Sequence, residues 1–139
     1  MIERIGISLD EDLLRRFDRL IAAKGYQNRS EAIRDVIRDS LVQREWSDPK
    51  GREERVAVVA LVYEHDASGL AQKLAGIQHQ RHQAVVSGLH VHIDAHNCLE
   101  VLILRGRAQE VLAMGENLIS TKGVKYGKLV PATTGQSLR

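Results

Sequence analysis

The sequence predicts an α+β protein in two parts: a short strand followed by two helices (βαα), then a domain with the order βαββαβ. Three observations carry that reading. Residues 4–9, Arg-Ile-Gly-Ile-Ser-Leu, alternate polar and apolar, the period of a half-buried strand, and two stretches with helical apolar spacing follow. Residues 46–54, Trp-Ser-Asp-Pro-Lys-Gly-Arg-Glu-Glu, are polar and hold the helix breakers Pro49 and Gly51. Beyond them lie four more strand-like runs with two helical runs between. The boundaries placed on this basis are 1–45 for the first domain, 46–54 for a linker and 55–139 for the second domain.

Composition sets the outer limits. A chain of 139 residues with 43% apolar content is long enough to bury a core, and 4% aromatic content makes that core aliphatic. A net charge of +2 excludes a polycation, so any nucleic-acid site is a local patch. The single cysteine excludes an internal disulfide. Residues 1–4 lack the apolar run of a signal peptide, and the longest uncharged apolar run, residues 56–63, is far too short to span a bilayer. A soluble cytoplasmic protein is expected. No nucleophile–base pair or general-acid constellation stands out, so no enzyme is expected.

In chain order, the first strand puts Arg4, Gly6 and Ser8 on one face and Ile5, Ile7 and Leu9 on the other. Asp10 is placed to cap a helix whose first turn carries Glu11 and Asp12, favourable at the positive end of the helix dipole. Leu13, Leu14, Phe17, Leu20 and Ile21 recur at helical spacing, and Gly25 ends the helix. Asn28-Arg29-Ser30-Glu31 has capping-box spacing, and Ala32, Ile33, Val36, Ile37 and Leu41 form the apolar face of a second helix. A six-residue strand cannot stand alone, because its backbone groups need a partner. A second copy of the chain, pairing strand to strand as an antiparallel ribbon, is the simplest remedy. Trp46 is placed at the domain junction. In the second domain a central strand is expected over 55–63 and a helix over 67–78. A hairpin of 84–93 with 98–104, a helix over 108–121 ended by Gly123, and a last strand over 124–130 follow. That order is the split ferredoxin-like arrangement, whose sheet leaves one face free for subunits to pack.

The stretch His90-Val-His-Ile-Asp-Ala-His-Asn-Cys98 concentrates the chemistry: the only cysteine and three of six histidines lie in nine residues. On a strand, His90 and His92 share a face about 6.5–7 Å apart. A turn at residues 94–97 would return Cys98 toward them. Imidazole and thiolate are ligands for a borderline transition metal, not for calcium or magnesium. The same pattern also occurs as two polar positions on a solvated face and a small buried cysteine, and local spacing alone leaves both readings open.

Residues 4–10, Arg-Ile-Gly-Ile-Ser-Leu-Asp, with the helix after them and Gly25-Tyr-Gln-Asn-Arg-Ser-Glu-Ala-Ile-Arg-Asp35, resemble the ribbon-helix-helix DNA-binding family. The resemblance implies a ribbon that enters the major groove. Arg4, Gly6 and Ser8 would face the bases, while the second helix's N-terminus from Asn28 to Ser30 would meet a phosphate, with charge from Arg29 and Arg34. Gly6 departs from the pattern, since a side chain that reads a base is more usual there. Acidic residues outnumber basic ones in 1–48, ten against nine, so on charge alone a dimerisation module without DNA stays open.

Both halves together resemble the nickel-responsive transcriptional regulators, NikR, in which a ribbon-helix-helix unit precedes an ACT-type domain. The pieces that carry this are Leu89-His-Val-His-Ile93 with Cys98-Leu-Glu100, Val62-Tyr-Glu-His65, Gln78-His79, Gly123-Val-Lys125 and Gly127-Lys-Leu129. The resemblance implies a homotetramer, a dimer of dimers, that represses nickel-uptake genes by binding a palindromic operator in double-stranded DNA. It implies one Ni(II) per subunit, with His90, His92 and Cys98 from one chain and His79 from another. Three imidazoles and a thiolate in a plane suit nickel, a tetrahedral set zinc. Glu31 and Asp35 would bind a secondary cation between the domains; a solvated acidic face is the other reading. Glu100 is expected to orient a ligand histidine. His65 and His82 are candidates for supporting or secondary positions, and His96 is expected in solvent. The rival readings are a regulator that senses an amino acid, zinc or cobalt on the same scaffold.

Overall fold

The computed structural model describes residues 1–48 and 51–138; the expected helix break at Pro49 lies outside the described residues. The chain forms two compact units, divided between Ser40 and Leu41.

In the first unit, α1 spans Glu11–Ala23. The Asp10 carboxylate accepts from the backbone N–H of Asp12 at 2.9 Å and of Leu13 at 3.4 Å, satisfying donors that an uncapped first turn leaves open. Gly25 takes φ 84°, a left-handed conformation that closes the helix without a side-chain penalty. The second helix, α2, spans Arg29–Ser47, and Asn28 Oδ1 accepts from Glu31 N at 2.9 Å, the cap expected from the sequence. Two of the unit's apolar residues, Ile21 and Ala32, are buried. The strand expected at residues 4–9 does not form in the single chain. No second strand lies in this unit to accept its hydrogen bonds, and Ile5, Ile7 and Leu9 stay exposed, as do Leu13, Leu20, Val36 and Ile37.

The second unit holds a four-stranded antiparallel sheet. Its strands are β1 Glu54–Glu64, β2 Val85–His92, β3 Asn97–Arg107 and β4 Val124–Pro131, in spatial order β2-β3-β1-β4. Helices α3 Leu70–Gln80 and α4 Ala108–Ile119 make the crossovers, with a short 3-10 turn at His82–Ala84. This is the split ferredoxin-like order read from the sequence. Strict alternation along β1 sends Ala57, Val59, Leu61 and Tyr63 into a core shared with Leu70, Leu74, Val111, Met114 and Leu118 of the helices. Each such buried aliphatic side chain contributes about 1.5–3 kcal/mol. Trp46, on the last turn of α2, belongs to this core, and its indole N–H donates to the Ala132 carbonyl at 2.8 Å. The helix therefore continues into the stretch read as linker, because its terminal aromatic side chain has an apolar seat. The other face of the sheet carries Leu89, Val91, Ile103, Tyr126 and Val130, all exposed.

Candidate metal centre

Strand register decides which side chains meet. Across β2 and β3, His90 pairs with Glu100 and His92 with Cys98; across β1 and β3, Tyr63 pairs with Cys98. Paired residues share a face, so His90, His92, Cys98, Glu100 and Tyr63 all lie on the helix-covered side. The turn that returns β3 is built by Asp94, whose Oδ1 accepts from the backbone N–H groups of His96 and Asn97, both at 2.8 Å. These bonds and the Asn97 side chain hold the Asp94 carboxyl well below the usual carboxylate range.

The imidazoles of His90 and His92 stand 5.5 Å apart between ring centroids. His65, just beyond β1, packs edge-on against His92 at 4.9 Å, and Tyr63 against His90 at 6.0 Å. His65 Nδ1 lies 3.1 Å from the His96 carbonyl oxygen, and His96 Nδ1 lies 3.4 Å from Asp66. So His96, expected in solvent, is exposed but engaged. Cys98 is fully buried, and its thiol donates to the Tyr63 carbonyl at 3.3 Å. Burial pushes that thiol's pKa up, and the nearby Glu100 charge adds to the rise, against the lowering effect of the Tyr63 contact.

Glu100 is held differently from the expectation that it orients a histidine. Its two oxygens accept from Tyr63 Oη at 2.5 Å and from Gln78 Nε2 at 2.8 Å. Gln78 and Tyr63 are functional candidates that the sequence reading did not single out; the only signal was their place beside His79 and within Val62-Tyr63-Glu64-His65. His79 is exposed on the last turn of α3 and takes no part in the ring contacts among the described residues. His82 is exposed in the 3-10 turn.

Two imidazoles on one face, with a thiol opposite one of them, are a donor set for a borderline metal. Among the described residues, no three His, Cys, Asp or Glu side chains of the single chain converge closely enough to hold an ion. Nickel is such a metal, and these donors suit it in kind; Cys98 would have to turn from the Tyr63 carbonyl to join the two imidazoles.

In the first unit, Arg4, Gly6 and Ser8 are exposed, and nothing lies within 4 Å of where a Gly6 Cβ would stand. Arg29 is bound to Asp18 through two 2.8 Å contacts, so a phosphate would have to compete for it. Asn28 is occupied as a cap. Asp35 accepts from Tyr26 Oη at 2.6 Å and from Arg38 Nη1 at 3.2 Å; Glu31, Arg34 and Asp35 line one shallow surface with them.

Residues 56–132 match the model of the NikR C-terminal nickel-binding domain, and residues 3–44 that of ribbon-helix-helix proteins of the copG family. The chain is 72% identical over 139 residues, 100% of both chains, to a protein of Anaeromyxobacter dehalogenans named as a candidate nickel-responsive regulator. A Geobacter sulfurreducens protein with the same naming is 56% identical over 135 residues, 97% of this chain and 96% of the relative. An uncharacterised protein of Thermotoga maritima matches in fold with a TM-score of 0.52 at 18% identity, over 58% of this chain and 100% of its own. No helix among the described residues is long and apolar enough to cross a membrane.

Proposed function

The chain belongs to the NikR family of nickel-responsive transcriptional regulators, a family of DNA-binding proteins and not enzymes, and we propose that it represses nickel-uptake genes when nickel is replete. The observation that carries the metal half of this reading is the register of β2 and β3. It puts His90 and His92 side by side with Cys98 across from His92, yet among the described residues of one chain the set is unfinished. A homotetramer, a dimer of dimers, would finish it. His79 of a neighbouring subunit is the proposed fourth ligand, giving one site per subunit. The exposed apolar sheet face supports association of the second units, and the unformed strand at residues 4–9 with its exposed Ile5, Ile7 and Leu9 supports association of the first. The protein would work in the cytoplasm, where its DNA partner lies.

In this mechanism Cys98 loses its proton and gives up its bond to the Tyr63 carbonyl, while His90 and His92 offer unprotonated ring nitrogens. His90, His92 and Cys98 of one subunit and His79 of a neighbour would hold nickel, which would supply a link that neither subunit can make alone. The paired ribbons present Arg4 and Ser8 to base edges of a palindromic operator; Gly6 contributes no side chain, so its step in the groove is read by shape or left unread. The N-terminus of α2, with Asn28, Arg29 and Arg34, meets the phosphates once Arg29 leaves Asp18. Glu31 and Asp35 are the proposed seat of a secondary cation, which has to displace Tyr26 and Arg38 from Asp35.

Binding is reciprocal: operator DNA tightens nickel binding by the factor by which nickel tightens operator binding. The test is operator affinity at fixed salt, with and without one equivalent of nickel, copper, zinc or cobalt per subunit. Tightening by nickel supports the reading. Equal affinities with and without nickel overturn the switch, and an equal response to zinc or cobalt overturns nickel selectivity in favour of a sensor of another metal.

A further inference from the structure

We propose that Gln78 is a positioning residue for the shared metal site, tying the α3 turn that presents His79 to the strand pair that bears His90, His92 and Cys98. This rests on the ligand set proposed above. Gln78 directly precedes His79, and its side-chain amide donates to Glu100 Oε1 at 2.8 Å. Glu100 is the cross-strand partner of His90 and lies two residues from Cys98 on the same face. Its second oxygen takes the hydroxyl of buried Tyr63, whose backbone carbonyl holds the Cys98 thiol. One carboxylate thus connects the chain's own half-site to the helix end that offers a ligand to a neighbour.

Two features mark this as more than a structural bond. First, a groove separates α3 from β2. Ala71, Ala75 and Gly88 line a groove of about 270 Å³ between them, with Gln78 and Glu100 among its walls. Leu89, His90 and Leu102 complete the lining, and the amide–carboxylate bond is the hydrogen bond across it. Second, Tyr63 and Gln78, which donate to Glu100, are neutral, and no ion pair among the described residues includes it. A half-buried carboxylate without a cation is a poor choice for stability alone. Beside a site for a divalent ion its charge has a use. If the tie holds, filling one site changes how the same chain presents His79 to the next, so the sites of a tetramer do not fill independently.

The test uses the full chain and two variants. Gln78→Met keeps length and helix propensity but removes the donor. Glu100→Gln keeps the tie, because its amide oxygen can still accept from Gln78 Nε2, but removes the charge. Hydrogen exchange in the metal-free protein reads how firmly the last turn of α3 is held. Stepwise nickel titration, followed by the thiolate-to-nickel absorption band, reads affinity and the spacing of the steps. For Gln78→Met we expect faster exchange at residues 77–80, roughly 10–100-fold weaker nickel binding as for other outer-shell partners, an unchanged band at saturation, and steps collapsed toward equal affinity. Glu100→Gln should exchange like the parent while binding nickel more weakly. A Gln78→Met protein that matches the parent in exchange and in nickel steps overturns the inference. A parent protein that takes up no nickel, or a His79→Ala protein that binds it as well as the parent, overturns the ligand set beneath it instead.

Discussion

Gly88→Ala tests whether the half-site depends on how closely β2 lies on the core. Gly88 sits two residues before His90, opposite Leu102 on β3. A Cβ built there would meet Leu102 Cδ2 at 2.9 Å, where ordinary contact begins at 3.4 Å. Half an ångström must therefore come from somewhere. Leu102 is 2% exposed, but its Cδ2 is the end of a side chain that also lines the groove under α3, so that side chain can take up part of it. The remainder falls on β2, an edge strand free to lift, and His90 moves with it. Overpacking of this kind costs about 1–3 kcal/mol of stability. Metal bonds accept displacements of only about 0.2 Å, so nickel affinity should fall as well. Gly6→Ala is the control, because nothing lies within 4 Å of its Cβ position. The assays are the denaturant midpoint of the metal-free protein and nickel titration by the thiolate band. A Gly88→Ala protein with the parent's midpoint and an affinity within about twofold would refute the reasoning, since either Leu102 gave way freely or His90 does not need its place.

Three further outcomes are expected. His92→Ala removes an exposed donor and should abolish high-affinity nickel binding while the oligomer persists in size-exclusion chromatography; retained affinity rules out the ligand set. Arg4→Ala should weaken operator binding more than binding to unrelated DNA, by about 1–3 kcal/mol for a base contact; an equal loss on both makes Arg4 a phosphate contact only. Asp94 has its folded pKa depressed by Asn97 and by the backbone of His96 and Asn97, so it contributes stability that is present above the ordinary carboxylate range and lost as pH falls through the folded value. Asp94→Asn should therefore flatten the acid limb of the metal-free protein's stability against pH, and an unchanged limb would assign that dependence to other carboxylates.

Much of this architecture was legible because its signals are local. Asp10 and Asn28 cap the helices they were expected to cap, and Gly25 closes α1. Strand-like runs located every strand of the second unit, and the turn expected at residues 94–97 does return Cys98 to a place opposite His92. What was missed depends on partners far away in sequence. The third strand of the unit was expected to stop at Leu104. It runs on because Arg105 meets the Glu54 carboxylate at 2.8 Å on the adjoining strand. Trp46 could be placed at a junction but not given its acceptor, Ala132, 86 residues away. Glu100 looked like a histidine's partner by proximity, yet Tyr63 and Gln78 take its oxygens from 37 and 22 residues away. The strand at residues 4–9 failed for the opposite reason. Its alternation is present, but the first unit holds no second strand to pair with it.

The second strand of the sheet explains why metal binding and assembly should be one event on the proposed reading. Along it His90 and His92 alternate with Leu89 and Val91. The histidines face the helix side with Cys98 and Glu100; the apolar pair is exposed with Ile103 on the open face. A slip of one residue in register would turn both sets over together. An edge strand held on one side only is free to shift or fray. Burying Leu89 and Val91 against another copy removes that freedom, and the same contact fixes where His90 and His92 stand. Association therefore prepares the half-site before it brings a fourth ligand. If that is so, replacing Val91 by Lys, which opposes burial on the open face and touches no donor, should weaken nickel binding and tetramer formation together. A Val91→Lys protein that dissociates in sedimentation yet binds nickel as the parent does would show that the half-site needs no neighbour.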